Sequence, residues 1–190
     1  ATSPLRDALV FKGGTALNLG FASVDTDIVV ALDADTVFRP ETVRRLAAHF
    51  EDPAIAAVAG NARVGNPRNL LTRWQALEYV TSQNLDRRAL ARLDCITVVP
   101  GAVGAWRRTA VLTAGGFADD TLAEDADLTL RLLRAGWSVA YDEHAIGLTE
   151  APETVRAFLD QRFRWMFGTL QAAWKHRGAL FRSKQPALGW

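Results

Sequence analysis

Asp27-Ile-Val-Val-Ala-Leu-Asp-Ala-Asp35 is the stretch of this 190-residue chain that decides its fold. A short, uninterrupted apolar run is typical of a parallel strand buried on both faces. Asp33 and Asp35, which close the run, would then lie at the carboxyl end of the strand, where open α/β sheets bind ligands. The stretch therefore predicts a ligand crevice beside two aspartates.

Helix-like and strand-like segments alternate on either side of this strand, which predicts an α/β fold. Apolar spacing, Pro and Gly predict helices over Gly13 to Ser23, Glu41 to Phe50, Leu70 to Leu93 (long, or broken once), Glu124 to Ala135 and Thr154 to Trp174. Shorter apolar runs predict strands at Ala54 to Ala59, Ile96 to Val99 and Trp137 to Tyr141. Between them, the small residues Gly101 to Gly104 predict a turn where the backbone can approach a ligand closely.

The composition excludes several classes of protein. With 49% hydrophobic and 23% charged residues the chain is expected to be globular, and a net charge of +1 argues against binding to nucleic acid. The single cysteine, Cys95, cannot close an intramolecular disulfide, which favours a reducing compartment. No stretch is long and apolar enough to cross a bilayer, and the scattered histidines lack metal-ligand spacing.

Two acidic clusters are the first candidates for chemistry. Asp33 and Asp35 could share a divalent cation, Mg²⁺ or Mn²⁺, with phosphate oxygens, or they could only solvate the end of a strand. Glu124-Asp-Ala-Asp127 begins a predicted helix, and the helix dipole stabilises carboxylates at this end. One of its members could instead act as a general base toward a substrate hydroxyl.

The third candidate is Gln161-Arg-Phe-Arg-Trp165, which places two guanidiniums, an amide and an indole on less than two turns of helix. Arginines can hold a leaving diphosphate, and a tryptophan can stack on a sugar. The alternative is an ordinary amphipathic helix that packs its apolar side inward, namely Phe163, Met166, Phe167, Leu170 and Trp174.

Taken in order, these motifs resemble the processive inverting glycosyltransferases of family 2, which include the bacterial cellulose, hyaluronan, chitin-oligosaccharide and poly-N-acetylglucosamine synthases. The resemblance covers Lys12 to about Trp174. The matching stretches are Lys12-Gly-Gly-Thr-Ala-Leu-Asn18, Asp27-Ile-Val-Val-Ala-Leu-Asp-Ala-Asp-Thr36, Pro100-Gly-Ala-Val-Gly-Ala-Trp-Arg-Arg108, Gly115-Gly-Phe117, Leu122-Ala-Glu-Asp-Ala-Asp-Leu128 and Gln161-Arg-Phe-Arg-Trp165.

The resemblance implies a GT-A-type, Rossmann-like mixed sheet flanked by helices, with a UDP-sugar as donor and an oligosaccharide or polysaccharide as acceptor. It implies that Asp125 is the general base and that Asp35 and Asp33 hold Mg²⁺ or Mn²⁺. The donor and its diphosphate would be bound by Lys12, Asn18, Asp33, Gln161 and Arg164. The acceptor would be bound by Trp165, Glu124, Gly101 and Ala102.

One departure from the family is informative. Family members begin this domain with a strand that carries a uracil-contacting aspartate, and no matching segment precedes Lys12. We therefore expect residues 1–176 to be a partial GT-A catalytic domain whose first nucleotide-binding strands are missing, with little activity alone. We also expect the strand ending at Asp33 to lack a neighbour on one side, and this exposed edge to favour self-association.

In processive relatives the motif at Gln161 leads toward the membrane, so residues 177–190 are interpreted as a polar tail before a membrane region of the full-length protein. The apolar face of the last helix would contact the cytoplasmic leaflet of the plasma membrane. Positive charge beside it would come from Lys175, His176, Arg177, Arg182 and Lys184.

Two alternatives remain open at this point. Val30-Ala-Leu-Asp-Ala-Asp-Thr-Val37 also fits the signature of haloacid-dehalogenase-like phosphatases, in which Asp33 would be the nucleophile. The chain could otherwise be a folded fragment without catalytic activity. Neither the donor sugar nor the linkage follows from the motifs, although the residues after Trp165 favour β-glucan or poly-N-acetylglucosamine synthases.

Overall fold

A six-stranded mixed sheet forms the centre of the protein in the computed structural model, which describes residues 8–11 and 21–179. The strands are β1 (Ala8–Phe11), β2 (Ile28–Ala31), β3 (Val37–Phe38), β4 (Ile55–Val64), β5 (Gly104–Arg107) and β6 (Ser138–Thr149). Their order across the sheet is β1-β2-β5-β4-β6-β3. The predicted α/β class and the buried strand before Asp33 are confirmed, because all four residues of β2 are buried.

The strand that leads to Asp33 has neighbours on both sides. β2 pairs in parallel with β1 from Ala8 to Phe11 and antiparallel with β5. The expectation that β2 forms an exposed edge is therefore wrong, because residues upstream of Lys12 supply a strand beside it. The self-association predicted from that edge loses its structural basis.

Strands β4 and β6 are longer than their apolar runs. They pair in parallel from Ile55 to Val64 and from Ser138 to Thr149, with a register irregularity between Gly60 and Asn61. Polar residues interrupt the apolar pattern in both strands, so the sequence predicted only the first half of β4 and the first third of β6. Pairing continues because Asn61 bridges the irregularity, its Nδ2 donating to the carbonyl of Glu143 at 2.7 Å.

The segment Ile96 to Val99 is irregular rather than a strand, and the strand lies further along the chain as β5. Ile96 and Val99 are buried as predicted, but a side chain instead of a neighbouring strand satisfies this backbone. The N–H of Val99 donates to Thr129 Oγ1 at 3.1 Å. The turn at Pro100 then reverses the chain, with the N–H of Val103 donating to its carbonyl.

Helices flank both faces of the sheet. They are α1 (Thr42–Ala48), α2 (Leu70–Glu78), α3 (Asp86–Arg92), α4 (Arg108–Thr113), α5 (Glu124–Arg134) and α6 (Val155–Lys175). A π-helical segment, Tyr79–Leu85, joins α2 to α3, so the predicted long helix is continuous but changes its winding. Residues 21–23 are helical, and the rest of the helix predicted over residues 13–23 lies outside the described residues.

Helix α6 docks on the start of α5 through a glycine. A Cβ built at Gly168 would lie 2.6 Å from the backbone nitrogen of Ala123, so only glycine permits this approach. One turn later, Gln171 Oε1 accepts from the N–H of Leu122 at 3.1 Å. At the end of α6, Lys175 and His176 contact the buried carboxylate of Asp127 at 3.0 and 2.9 Å.

The apolar face of α6 points to solvent. Phe163, Met166, Leu170 and Trp174 are 63–71% exposed, so the expectation of inward packing is wrong for these side chains. Inward contacts are made instead by the small residues Gly168 and Ala172, which are buried. No helix in the described part of the chain has the length and apolar character needed to span a bilayer.

Candidate active site

The predicted aspartate pair lies at the carboxyl end of β2. Asp35 Oδ1 accepts from Thr149 Oγ1 at 3.2 Å, which ties the turn after β2 to the end of β6. Burial of its carboxyl raises the pKa of Asp33, repulsion from Asp35 and Glu124 raises it further, and Arg164 opposes these effects. Carboxylates that repel one another at the end of a strand suit a divalent cation.

The described residues contain no group of three or more His, Cys, Asp or Glu side chains that could hold a metal ion. Two carboxylates, Asp33 and Asp35, are the oxygen ligands offered here. Mg²⁺ is commonly held by one or two carboxylates together with substrate phosphates. The donor set therefore fits a cation that arrives with a diphosphate, as the sequence predicted.

The predicted base, Asp125, is the second residue of α5 and is largely buried. Burial raises its pKa from 3.8 to about 6, while hydrogen bonds from the N–H groups of Ala126 and Gly101 lower it. The Ala126 bond measures 2.8 Å to Asp125 Oδ1. A carboxylate with this pKa is ionised at pH 7 and is more basic than an exposed aspartate, as a general base requires.

Gly101 joins the two acidic clusters. Its N–H donates to Asp125, and a Cβ built on it would lie 3.3 Å from Asp33 Oδ1. One residue of the Pro100 turn, Gly101, therefore lies between Asp33 of the aspartate pair and the candidate base Asp125. The sequence predicted a close backbone approach here but could not say which side chains it would bring together.

The Gln161 motif lies on α6 beside the same crevice. Gln161 Oε1 is buried, and no hydrogen bond to another described residue satisfies it. Arg164 contributes positive charge at Asp33. Trp165 is 39% exposed, and its ring centroid lies 6.4 Å from that of Tyr79. The structure therefore brings the three motifs together, whereas Lys12 and Asn18 lie outside the described residues.

Arg162 supports the tryptophan from the other side. Its guanidinium carbon lies 4.4 Å from the Trp165 ring centroid and 4.8 Å from that of Phe158. Its Nη2 forms an ion pair of 2.5 Å with Glu78 Oε2. The motif pattern assigned this residue no role, yet it holds the indole in place and connects α6 to α2.

Arg87, in the first turn of α3, is a site residue that the sequence did not reveal. Burial lowers its pKa, and electrostatic attraction to Tyr141, Asp125 and Tyr79 opposes the shift. Nothing in the local sequence separates it from its neighbour Arg88, which is exposed and paired with Glu143 at 3.1 Å. The π-helical winding before α3 decides which of the two arginines faces the site.

The basic residues predicted to face a membrane do not act alike. His176 is buried against Asp127, so the expectation that it faces the surface is wrong, whereas Lys175 stays exposed while it pairs with Asp127 and Asp120. The guanidinium carbon of Arg177 lies 4.7 Å from the Trp174 ring centroid, near the exposed apolar face. Arg182 and Lys184 lie outside the described residues.

Comparison with known proteins agrees with this geometry. A family profile described as "Glycosyl transferase family group 2" matches residues 28–189. The chain is 31% identical over 181 residues to the "Probable glycosyltransferase YdaM" of Bacillus subtilis (strain 168), covering 92% of this chain and 42% of that protein. It is 29% identical over 154 residues to the "Poly-beta-1,6-N-acetyl-D-glucosamine synthase" of Staphylococcus aureus (strain COL), covering 80% of this chain and 37% of that synthase. The chain thus spans less than half the length of these relatives.

Solved structures share the fold. The mannosyltransferase PcManGT from Pyrobaculum calidifontis, in complex with GDP-Man and Mn²⁺, superposes with a TM-score of 0.74 at 20% identity, over 93% of this chain and 47% of that one. Glucosyl-3-phosphoglycerate synthase from Mycobacterium tuberculosis, in complex with Mn²⁺, UDP and glucosyl-3-phosphoglycerate, superposes with a TM-score of 0.55 at 19% identity, over 87% of this chain and 55% of that one. The GT-A-type fold predicted from the motifs is confirmed by these neighbours.

The family match also decides between the two enzyme classes that the sequence left open. A phosphatase with Asp33 as nucleophile is excluded, because the profile extends from β2 through the Gln161 motif, which a phosphatase does not explain. The chain belongs to the family 2 glycosyltransferases.

Proposed function

We propose that this chain forms the part of a polysaccharide-synthesising glycosyltransferase that holds the donor diphosphate and activates the acceptor. The observation that carries the proposal is the position of Gly101, whose backbone lies beside Asp33 and donates to Asp125. A donor phosphate at Asp33 and an acceptor hydroxyl at Asp125 would then lie on neighbouring sides of one turn. The poly-N-acetylglucosamine synthase among the relatives supports UDP-N-acetylglucosamine as a donor, with UDP-glucose as the second candidate.

The reaction is a single displacement with inversion. An acceptor hydroxyl transfers its proton to the carboxylate of Asp125 while its oxygen bonds to the anomeric carbon of the donor sugar. The bond from that carbon to the diphosphate oxygen breaks, and the nucleoside diphosphate leaves with the electron pair. A divalent cation held by Asp35 and Asp33 would neutralise charge on the diphosphate.

The remaining residues bind and orient the substrates. Arg164 contributes positive charge toward the diphosphate, as it does at Asp33. Gln161 is proposed to donate to the diphosphate through its Nε2, since its Oε1 can only accept a hydrogen bond. Trp165 offers an aromatic face for the terminal acceptor sugar. Glu124, Gly101 and Ala102 are proposed as further acceptor contacts on the family motif. Lys12 and Asn18 are proposed as donor contacts on the family motif alone.

The test is nucleotide release from UDP-N-acetylglucosamine and UDP-glucose, with Mn²⁺ or Mg²⁺. It compares the 190-residue chain with a form extended upstream by about half a domain. We expect activity in the extended form only, lost in Asp125→Asn. Release that survives Asp125→Asn would contradict the role of this base, and full turnover by the short chain would contradict its incompleteness.

We further propose that the catalytic part works at the cytoplasmic face of the plasma membrane in the full-length protein. The support is the exposed apolar face of α6, which includes Phe163 stacked on Phe167 with centroids 5.5 Å apart, beside Arg177. Flotation with anionic phospholipid vesicles tests this contact. Met166→Asp should weaken flotation, whereas Val37→Asp, at a similarly exposed position on β3, should not. Equal flotation of both variants would contradict the proposal that α6 contacts the membrane.

A further inference from the structure

Arg87 combines burial with an unused hydrogen-bond donor. Its Nη1 is buried and has no hydrogen-bond partner among the described residues. A buried charged donor without a partner is costly, and such groups in native proteins usually serve a ligand or a reaction. Among the groups that interact with it through space, Asp125 carries the opposite charge at neutral pH, whereas the hydroxyls of Tyr79 and Tyr141 are neutral there because burial raises their pKa.

The position of Arg87 is determined by its surroundings. The π-helical segment Tyr79–Leu85 directly precedes α3, the helix that carries Arg87. π-Helical segments are rare in proteins, and those that occur are often found at functional sites. Within that segment Tyr79 and Asn84 are buried, and Asn84 Oδ1 accepts from the Tyr141 hydroxyl at 3.4 Å. The segment that precedes Arg87 is therefore anchored in the protein interior by two buried polar side chains.

Two arginines interact with different aspartates of the site. Arg164 is the cation that interacts with Asp33, at the donor side. Arg87 is the cation that interacts with Asp125, where the acceptor hydroxyl must lie if the proposed function holds. Tyr79, which begins the π-helical segment before Arg87, has its ring centroid 6.4 Å from that of Trp165, the proposed acceptor platform. The ligand oxygen assigned to Arg87 is therefore one of the acceptor.

We propose that Arg87 is an acceptor-binding residue, whose free Nη1 donates a hydrogen bond to a ring or hydroxyl oxygen of the sugar that Asp125 activates. This inference rests on the proposed function and deepens it. A guanidinium presents its donors in a rigid fork, so it orients the acceptor as well as attracting it. The bond forms only when an acceptor sugar is present, so its loss should lower transfer more than hydrolysis of the donor.

The test separates transfer from hydrolysis in the full-length protein. Arg87→Gln keeps a polar side chain but removes the charge, and Arg92→Gln removes an exposed arginine from the same helix as the matched control. Acceptors are tetramers of β-1,6-linked N-acetylglucosamine, β-1,4-linked N-acetylglucosamine and β-1,4-linked glucose. Donor hydrolysis without acceptor is measured in parallel.

We expect Arg87→Gln to lower kcat/KM for the acceptor by about 10- to 100-fold, mainly through KM, because a charge-assisted hydrogen bond is lost. Hydrolysis of the donor should fall much less than transfer, because hydrolysis loses only the effect of the Arg87 charge on Asp125, and Arg92→Gln should change neither reaction. Arg87→Lys keeps the charge without the fork and should fall between the two. If Arg87→Gln does not fold, the effect of Arg87→Lys on transfer and hydrolysis tests the proposal instead.

Two results would overturn the inference: an equal loss of hydrolysis and transfer, or an unchanged kcat/KM for the acceptor. If the wild type hydrolyses the donor but transfers to none of the tetramers, the acceptor assignment of Arg87 fails and the donor half of the proposed function stands. If the wild type releases no nucleotide from either donor, the proposed function itself fails.

Discussion

Asp125 and Asp127 lie two residues apart on α5, yet their replacement by asparagine should change stability in opposite directions. Burial raises the pKa of Asp125 to about 6, so the folded state resists its ionisation. Burial also acts on Asp127, but hydrogen bonds from Lys175 and His176, together with Arg131, outweigh it and lower the pKa of this carboxyl. The candidate base therefore costs stability, and its neighbour contributes to it.

The magnitude for Asp125 follows from its pKa. A rise from 3.8 to about 6 is about two pH units, and at about 1.4 kcal/mol per unit it costs up to about 3 kcal/mol when the group is ionised. The unfolded chain loses this proton near pH 4 and the folded protein near pH 6. The cost hence grows as pH rises through that window and is constant above it.

The assay is urea unfolding of wild type, Asp125→Asn and Asp127→Asn between pH 4 and 8. At pH 7 to 8, Asp125→Asn should raise the free energy of unfolding by up to about 3 kcal/mol, roughly 6–12 °C in Tm, and the gain should vanish toward pH 4. The asparagine carbonyl can still accept from the N–H of Ala126, which bonds Asp125 Oδ1 at 2.8 Å. The substitution therefore removes charge with little change in shape.

Asp127→Asn should lower the free energy of unfolding at neutral pH by about 1.5 to 3 kcal/mol, because Lys175, His176 and Arg131 lose the buried carboxylate that they share. Its pKa is lowered, so its contribution is present above the ordinary pKa of an aspartate and disappears as pH falls through the depressed value. A destabilised Asp125→Asn, or a gain that does not depend on pH between 4 and 6, would refute the reasoning.

Three further predictions concern activity and packing. The rate of sugar transfer should fall below pH about 6, because Asp125 then becomes protonated, and a flat pH–rate profile down to pH 5 would contradict its role as base. Gly168→Ala should lower Tm and nucleotide release, since its Cβ would lie 2.6 Å from a backbone nitrogen, whereas Gly178→Ala, with open space around it, should lower neither. Trp165→Ala should raise KM for an oligosaccharide acceptor about tenfold, because the contact between the indole and the sugar is lost. Trp174, 71% exposed at the far end of α6, is the control, and Trp174→Ala should leave that KM unchanged. Equal effects at both positions would contradict stacking at Trp165.

Short-range patterns predicted the fold class and most elements. The apolar run before Asp33 became β2, and the helix predicted over residues 124–135 is observed from Glu124 to Arg134, ending before Gly136 at φ +93°. Prediction failed where pairing partners decide the structure. Residues 96–99 look like a strand but satisfy their backbone through Thr129, and β1 supplies a neighbour that the motifs did not indicate.

The site shows the same division. Residue types and spacing pointed to Asp33, Asp35, Asp125 and the Gln161 motif, because these chemical groups recur at characteristic intervals. The spacing of residues could not predict the ion pair between Arg162 and Glu78, because these residues are 84 positions apart in the chain. Nor did it distinguish Arg87 from Arg88, since helical winding and burial separate them only in the folded protein.

The sequence by itself determined the strands β2, β4 and β6, the longer helices and the chemical groups that follow them, because these depend on local apolar periodicity and on neighbouring residue types. The tertiary structure alone decided that Gly101 lies between Asp33 and Asp125 and that a glycine brings α6 against the start of α5. It also decided that two aspartates on one helix have pKa values shifted in opposite directions. Distances and desolvation arise from packing between segments remote in the chain, and they determine the chemistry that each carboxylate can perform.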